Sequence, residues 1–243
     1  MSKLRFALPA FVLVTCFGQE RPSTRILQPW GGPKGFSDHY IQSVDAYFGA
    51  ERAYRDDPSL IEIATLDLRA PLDRDPACPG PLHVLLHFKG YIALQAYRIS
   101  HRLWESGRTE FARELHGRIT QTLHVSIHPS VTIGSALFID HGTGITIGEG
   151  VVIGEDVSML QEVTLSSSPE DQAGAPRIGR GVLLSAGATV LGNVDIGDFA
   201  KIGAGSLVLA SVPSGYTAVG VPARLVGRAS DAWPALNMDQ SLP

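Results

Sequence analysis

Between Val125 and Leu209 an aliphatic side chain returns at every sixth position, a spacing that most folds cannot use. The anchors are Ile127, Ile133, Ile139, Ile147, Ile153, Met159, Leu165, Ile178, Leu184, Val190, Ile196, Ile202 and Val208. Glycine directly follows six of them, and small or β-branched residues stand two positions before most. A helix face needs a 3.6-residue period and a half-buried strand needs alternation, so neither fits. Hexapeptides fit a parallel β-helix, in which each repeat forms one short flat side with its anchor pointing inward. Three sides close a triangular coil, so these anchors make roughly four coils.

Two interruptions break the register, and interruptions of a solenoid are where function concentrates. The first adds two residues between Ile139 and Ile147, in Asp140-His141-Gly142-Thr143-Gly144. The second adds seven between Leu165 and Ile178, as the polar segment 166–177, which must leave the coil as an exposed loop.

Ahead of the coil the pattern is helical. Tyr40, Ile41, Val44, Tyr47 and Phe48 recur at three- and four-residue spacing, and Asp56-Asp57-Pro58-Ser59 restarts a helix carrying Leu60, Ile61, Ile63 and Ala64. Pro76, Pro79, Gly80 and Pro81 make 72–81 a loop. One long helix is expected over about 82–105 and another over about 109–122. The prolines and glycines of 18–37 read as an irregular connector, and the last fifteen residues, without a period, as a loose tail. The expected organisation is α+β: an irregular and α-helical region over 1–123, the β-helix over 124–228, and a flexible tail over 229–243.

Composition narrows the function. Charged residues make up 18% and the formal net charge is −4, which gives no nucleic-acid surface and no polybasic membrane patch. Cys16 and Cys78 are too few for a disulfide framework and read as free thiols in a reducing cytoplasm. Lys3 and Arg5 before the apolar run 6–17 imitate a secretory signal, but Pro9 interrupts the run and no Ala-x-Ala-like site follows. That run reads as a buried or interface segment, and no run reaches the ~18 apolar residues of a membrane-spanning helix.

Several motifs together resemble the serine O-acetyltransferase family of left-handed β-helix enzymes. They are Asp75-Pro76-Ala77, Lys89-Gly90-Tyr91 with Ala93-Leu94-Gln95-Ala96-Tyr97-Arg98, Asp140-His141-Gly142-Thr143-Gly144, Asp156-Val157-Ser158 and Gly220-Val221-Pro222-Ala223-Arg224. The resemblance covers roughly 72–228 and implies acyl transfer from acetyl-CoA to a hydroxyl. A serine-type hydroxyl is a poor nucleophile until a base takes its proton. His141 matches the family's general base, and an imidazole suits that role near neutral pH. Asp140 and Asp75 match two carboxylates that contact the acceptor's amino group; Asp75 also suits a plain turn before Pro76.

The chain also departs from the family. The aspartate that orients the catalytic histidine in an Asp-Ile-His-Pro motif is Ser126 here, in Ser126-Ile127-His128-Pro129. A serine can accept a hydrogen bond from the imidazole but offers no charge to an imidazolium. Glu162, where the family usually has a small residue, is a candidate substitute for that missing charge, counted with the substrate-binding residues; a plain surface glutamate fits the position as well. The Arg-His pair that binds the acceptor's carboxylate in the family is missing: the corresponding residues are Gly174-Ala175-Pro176-Arg177-Ile178. A buried carboxylate needs a cationic partner, and Arg177, the only base in the loop, sits at the family's lysine position, so free serine becomes a doubtful acceptor. On the donor side, Ser167, Ser168, Ala186, Gly187, Lys201, Ala204, Gly205 and Arg224 match CoA contacts. Small residues there let a pantetheine arm lie against backbone amides, and Lys201 and Arg224 suit phosphates.

His83 and His87 stand one helical turn apart, a spacing that can hold zinc, but no third ligand accompanies them and no metal is expected. Three functions compete. The first is a CoA-dependent O-acyltransferase on an altered serine-like amino alcohol whose carboxyl is absent, esterified or carrier-held. The second is an ordinary serine O-acetyltransferase of cysteine biosynthesis, and the third a non-catalytic homologue that binds CoA or a partner. The resemblance further implies a homotrimer or a dimer of trimers. The C-terminal isoleucine that enters a partner sulfhydrylase in some members is absent from Ser241-Leu242-Pro243.

Overall fold

The computed structural model describes residues 57–168 and 174–242. The helical pattern at 37–48, the apolar run 6–17, the connector 18–37, Cys16 and the middle of the 166–177 excursion lie outside the described residues.

Among the described residues four helices come first: α1 (Ser59–Arg74), α2 (Pro81–His87), α3 (Lys89–Glu105) and α4 (Thr109–Leu123). Asp57 opens α1 by accepting the Ser59 N–H at 3.1 Å. The helix runs past the expected stop at Leu72, through Pro71, to Arg74. Arg74 explains the extension, since its guanidinium donates to Val157 O at 3.1 Å and Ser158 Oγ at 3.0 Å and pairs with Asp156 at 3.3 Å. The single helix expected over 82–105 is two. Phe88 is extended, with ψ of 94°, and divides α2 from α3 although the apolar pattern continues through it.

The break lets α3 begin directly on the coil. A Cβ on Gly90 would stand 2.1 Å from Ile139 O, so only glycine permits this approach of the Lys89–Gly90 backbone. Further along α3, Arg98 donates to Ile133 O at 2.7 Å and Gly134 O at 2.6 Å, and pairs with buried Asp67 of α1 at 3.2 Å. Helices and first coil thus share one core.

The coil is a left-handed parallel β-helix of about four turns, built from three sheets. The first sheet stacks β1 (Val125–Ile127), β4 (Ile145–Ile147), β7 (Thr164–Ser166), β10 (Thr189–Leu191) and β13 (Leu207–Val208). The second stacks β2 (Thr132–Ile133), β5 (Val152–Ile153), β8 (Arg177–Ile178) and β11 (Asp195–Ile196). The third stacks β3 (Phe138–Ile139), β6 (Ser158–Met159), β9 (Leu183–Leu184), β12 (Lys201–Ile202) and β14 (Tyr216–Gly220), and β15 (Ala223–Arg228) turns back antiparallel on β14. None of the thirteen anchors is more than 8% exposed, so the six-residue period is the inward face of the coil.

The outward faces differ. Thr132, Thr146, Arg177 and Asp195 of the first two sheets are exposed, whereas Phe138, Ser158, Leu183, Lys201 and Thr217 of the third are all buried. Helices α1 and α3 cover the β3 end. The C-terminal segment covers the rest and is not a free tail. Its short helix α5 (Pro234–Asn237) places Ala235 against Leu160 and Leu183, and Ser158 Oγ donates to Ala235 O at 2.8 Å. Trp233 meets Phe199 edge-on at 4.6 Å and lies under Arg180. The sequence does not show this docking because scattered contacts, not a period, produce it.

Candidate active site

The first register break forms the turn between β3 and β4, and the start of α3 is laid against it. His141 sits there in the left-handed region, with φ of 57°, and Gly142 follows at 68°. A Cβ on Gly142 would come within 3.2 Å of Gly90 Cα, so the helix and the turn brace each other through backbone contact. Lys89 Nζ donates to Thr143 Oγ1 across the same junction. The result is an open cleft of about 380 Å³ lined by Asp75, His83, His87, Lys89, Asp140 and His141, among others.

Three of the expected acceptor-side residues therefore meet. The His141 side chain is 71% exposed, and its Nε2 lies 3.7 Å from Asp140 Oδ2, an ion-pair distance once the ring is protonated. Burial pushes the Asp140 carboxyl above the usual carboxylate range; His141 pulls it back and the Asp75 carboxylate pushes it further. Because burial and the Asp75 carboxylate both disfavour the Asp140 charge, a cation such as an ammonium would relieve the site. Asp75 combines both expected roles. One of its oxygens accepts the Ala77 N–H at 2.8 Å, closing the turn after α1, while the residue also lines the cleft.

Ser126 does not reach toward this turn. Its hydroxyl is hydrogen-bonded to His116 Nε2 of α4 at 3.0 Å, in place of the hydrogen bond to the His141 imidazole that the sequence allowed. Burial and neighbouring His128 lower the His116 pKa.

From His141 one edge of the prism, where the third sheet turns into the first, runs down the coil. Glu162 N–H donates to Thr143 O, Gly187 N–H to Gln161 O and Gly205 N–H to Ala186 O, at 2.8–2.9 Å. Successive coils are about 4.8 Å apart, so Glu162, Ala186–Gly187 and Ala204–Gly205 form a continuous strip below His141. The strand register equates Gly144, Glu162, Gly187 and Gly205, and all four are left-handed. Glu162 is the exception in that series, an exposed glutamate in a conformation that its neighbours satisfy with glycine. It is outside the lining of the cleft.

The other expected donor residues are scattered. Ser167 and Ser168 lie beyond the opposite end of β7, where the 166–177 excursion leaves. Arg224 is exposed on β15. Lys201 is 1% exposed, and its ammonium is taken by Asp239 at 3.1 Å and by Ser241 O. The sequence placed Lys201 toward CoA phosphates; in this protomer the C-terminal segment occupies it. Arg177 starts β8 in the second sheet, pairing with Val152 and Asp195. Among the described residues no group of three or more His, Cys, Asp or Glu is placed to hold a metal ion, and no helix is long and apolar enough to cross a membrane.

Known proteins are similar to this chain in sequence and fold. Residues 38–96 match the family described as Serine acetyltransferase, N-terminal, and residues 175–210 match Bacterial transferase hexapeptide (six repeats). The serine acetyltransferase of Escherichia coli (strain K12) is 47% identical over 191 residues, 78% of this chain and 70% of that protein. A soybean serine acetyltransferase complexed with serine is 49% identical with a TM-score of 0.73, covering 76% of each chain. A serine acetyltransferase in complex with CoA is 38% identical with a TM-score of 0.78, covering 92% of this chain and 85% of that one.

Proposed function

The chain belongs to the serine acetyltransferase family, and from that premise we propose that it moves an acetyl group from acetyl-CoA to the hydroxyl of serine. It is an acyltransferase. The observation that carries the serine reading is the convergence of Asp75, Asp140 and His141 on one cleft at the head of a strip of small residues. Relatives crystallised with serine and with CoA support both halves of the reaction.

In this reading the acceptor's ammonium lies between Asp75 and Asp140, which orients its hydroxyl toward His141. An imidazole nitrogen takes the hydroxyl proton as the oxygen bonds to the thioester carbon. When the tetrahedral centre collapses, the C–S bond breaks and the imidazolium returns the proton to the departing CoA sulfur. With Ser126 engaged by His116, the carboxylate that steadies the imidazolium is Asp140. Ala186, Gly187, Ala204 and Gly205 give the pantetheine arm a smooth edge, and Glu162, between base and strip, adds a charge near the reacting groups. Three copies packed side by side would complete the site, and light scattering after size exclusion reads that number directly.

A second reading, an acceptor whose carboxyl is absent, esterified or carrier-held, is favoured by one observation: no Arg-His pair stands in 166–177. CoA release from acetyl-CoA separates the two. Saturable turnover of free serine is expected, and His141→Ala should lower kcat by about 10²–10⁴-fold with CoA binding kept. Turnover of serine amide or ester alone would instead establish the second reading, and absence of both transfer and CoA binding would leave a non-catalytic homologue.

A further inference from the structure

The two imidazoles of α2 face the cleft. His83 and His87 line it together with Asp75, Asp140 and His141. Their rings lie 4.7 Å apart, tilted by 47°, and His83 also meets Phe88 edge-on at 5.7 Å. Both residues are exposed, and among the described residues neither ring has a hydrogen-bond or ion-pair partner. The break at Phe88 frees α2 from the line of α3, so these rings border the cleft instead of continuing along a buried helix.

The chemistry of the cleft is divided. Asp75 and Asp140 call for a cation. The only other ionisable groups among those lining it are His83, His87, His141 and Lys89, and Lys89 is tied to Thr143. An imidazole always carries at least one N–H donor and gains a positive charge when protonated. Two such rings a helical turn apart can each give an N–H to one carboxylate. A free α-amino acid is the ligand class that brings an ammonium and a carboxylate on one carbon.

We propose that His83 and His87 form the carboxylate-binding wall of the acceptor cleft and select a free amino acid over its amide, ester or carrier-bound forms. This rests on reading the cleft as the acceptor site. It also replaces, from inside the protomer, the Arg-His pair that segment 166–177 lacks.

The test compares kcat and KM for free serine and for serine amide, in the intact protein and in the His83→Ala/His87→Ala and His83→Gln/His87→Gln variants. Because both positions are exposed, turnover of serine amide reports that each variant is folded. The alanine pair should raise the KM for serine about tenfold or more, the value of one lost hydrogen bond to a charged group. The KM for serine amide should stay unchanged, and the glutamine pair, which keeps an N–H donor, should recover part of the loss. An unchanged serine KM, or an equal loss with both acceptors, overturns the assignment. Serine amide preferred over serine by the intact protein overturns it too, while leaving acyl transfer standing; no turnover of either acceptor sinks the proposed function itself.

Discussion

Two polar seams hold chain segments against the outer face of the third sheet, and they differ in how deeply the carboxylate is buried. At the helical end Asp67 has no exposed surface and receives Arg98 through two nitrogens at 3.2 Å, Gln95 Nε2 at 3.1 Å and the Leu137 N–H at 3.3 Å. At the C-terminal end it is the cation, Lys201, that is buried, while Asp239 stands near solvent and is gripped first by the hydroxyls of Ser241 and Ser230. Opening the first seam strands a charge in the core; opening the second exchanges partners for water at one end. The helical region is therefore part of the fold, and the C-terminal segment is a detachable cover.

The largest expected effect breaks the first seam. Arg98→Ala leaves Asp67 buried without its cation and removes the donors to Ile133 and Gly134, at about 3–5 kcal/mol. Urea unfolding should show that loss; a change under 1 kcal/mol would mean that the buried pair does not hold the helices, by the measure of an exposed pair. Gly90→Ala attacks the same seam at the active-site turn, where its Cβ meets Ile139 O. We expect about 1–3 kcal/mol of overpacking and a fall in kcat with CoA affinity retained, read by steady-state kinetics and calorimetry.

Between the seams runs the edge that carries Glu162. Glu162→Gly should raise stability by about 1 kcal/mol, since a left-handed glutamate is strained, while activity falls. A gain in stability with full activity would remove Glu162 from the site. The smallest effect belongs to the second seam. Asp239→Asn should shift global unfolding by no more than about 1 kcal/mol, yet speed proteolysis of 230–242. Hydrogen bonds hold the Asp239 carboxyl well below its ordinary range. Its contribution to docking is therefore complete above about pH 4 and lost as pH falls through the lower folded value. Fluorescence of Trp233, edge-on to Phe199, should report release only in acid.

Much of the coil was legible in advance. Ile127 to Val208 sit where the period puts them, and the two breaks mark the turn of His141 and the excursion at 166–177. Counting repeats stacks Glu162 one coil beyond Gly142; the strand register puts it beyond Gly144 instead, in the left-handed conformation that Gly144, Gly187 and Gly205 share. The helix break at Phe88, the survival of α1 through Pro71 and the docking of α5 were not legible. In each, a distant contact outweighs local preference: Ile139 O against Gly90, Arg74 in the coil, Ala235 on Leu183. His83 and His87 were visible as a pair one turn apart, but only as an unfinished metal site. The cleft they border needs α1, α2 and the β3–β4 turn together.

By itself the sequence determined the coil, its register and which residues point inward, because the hexapeptide period is a local property of the chain. What each outward residue meets was decided only by tertiary structure, since residues far apart in sequence supply the partners. That is why Lys201, read as a phosphate ligand, lies under the C-terminal segment, why Ser126 belongs to His116, and why His83 and His87 share a cleft with His141.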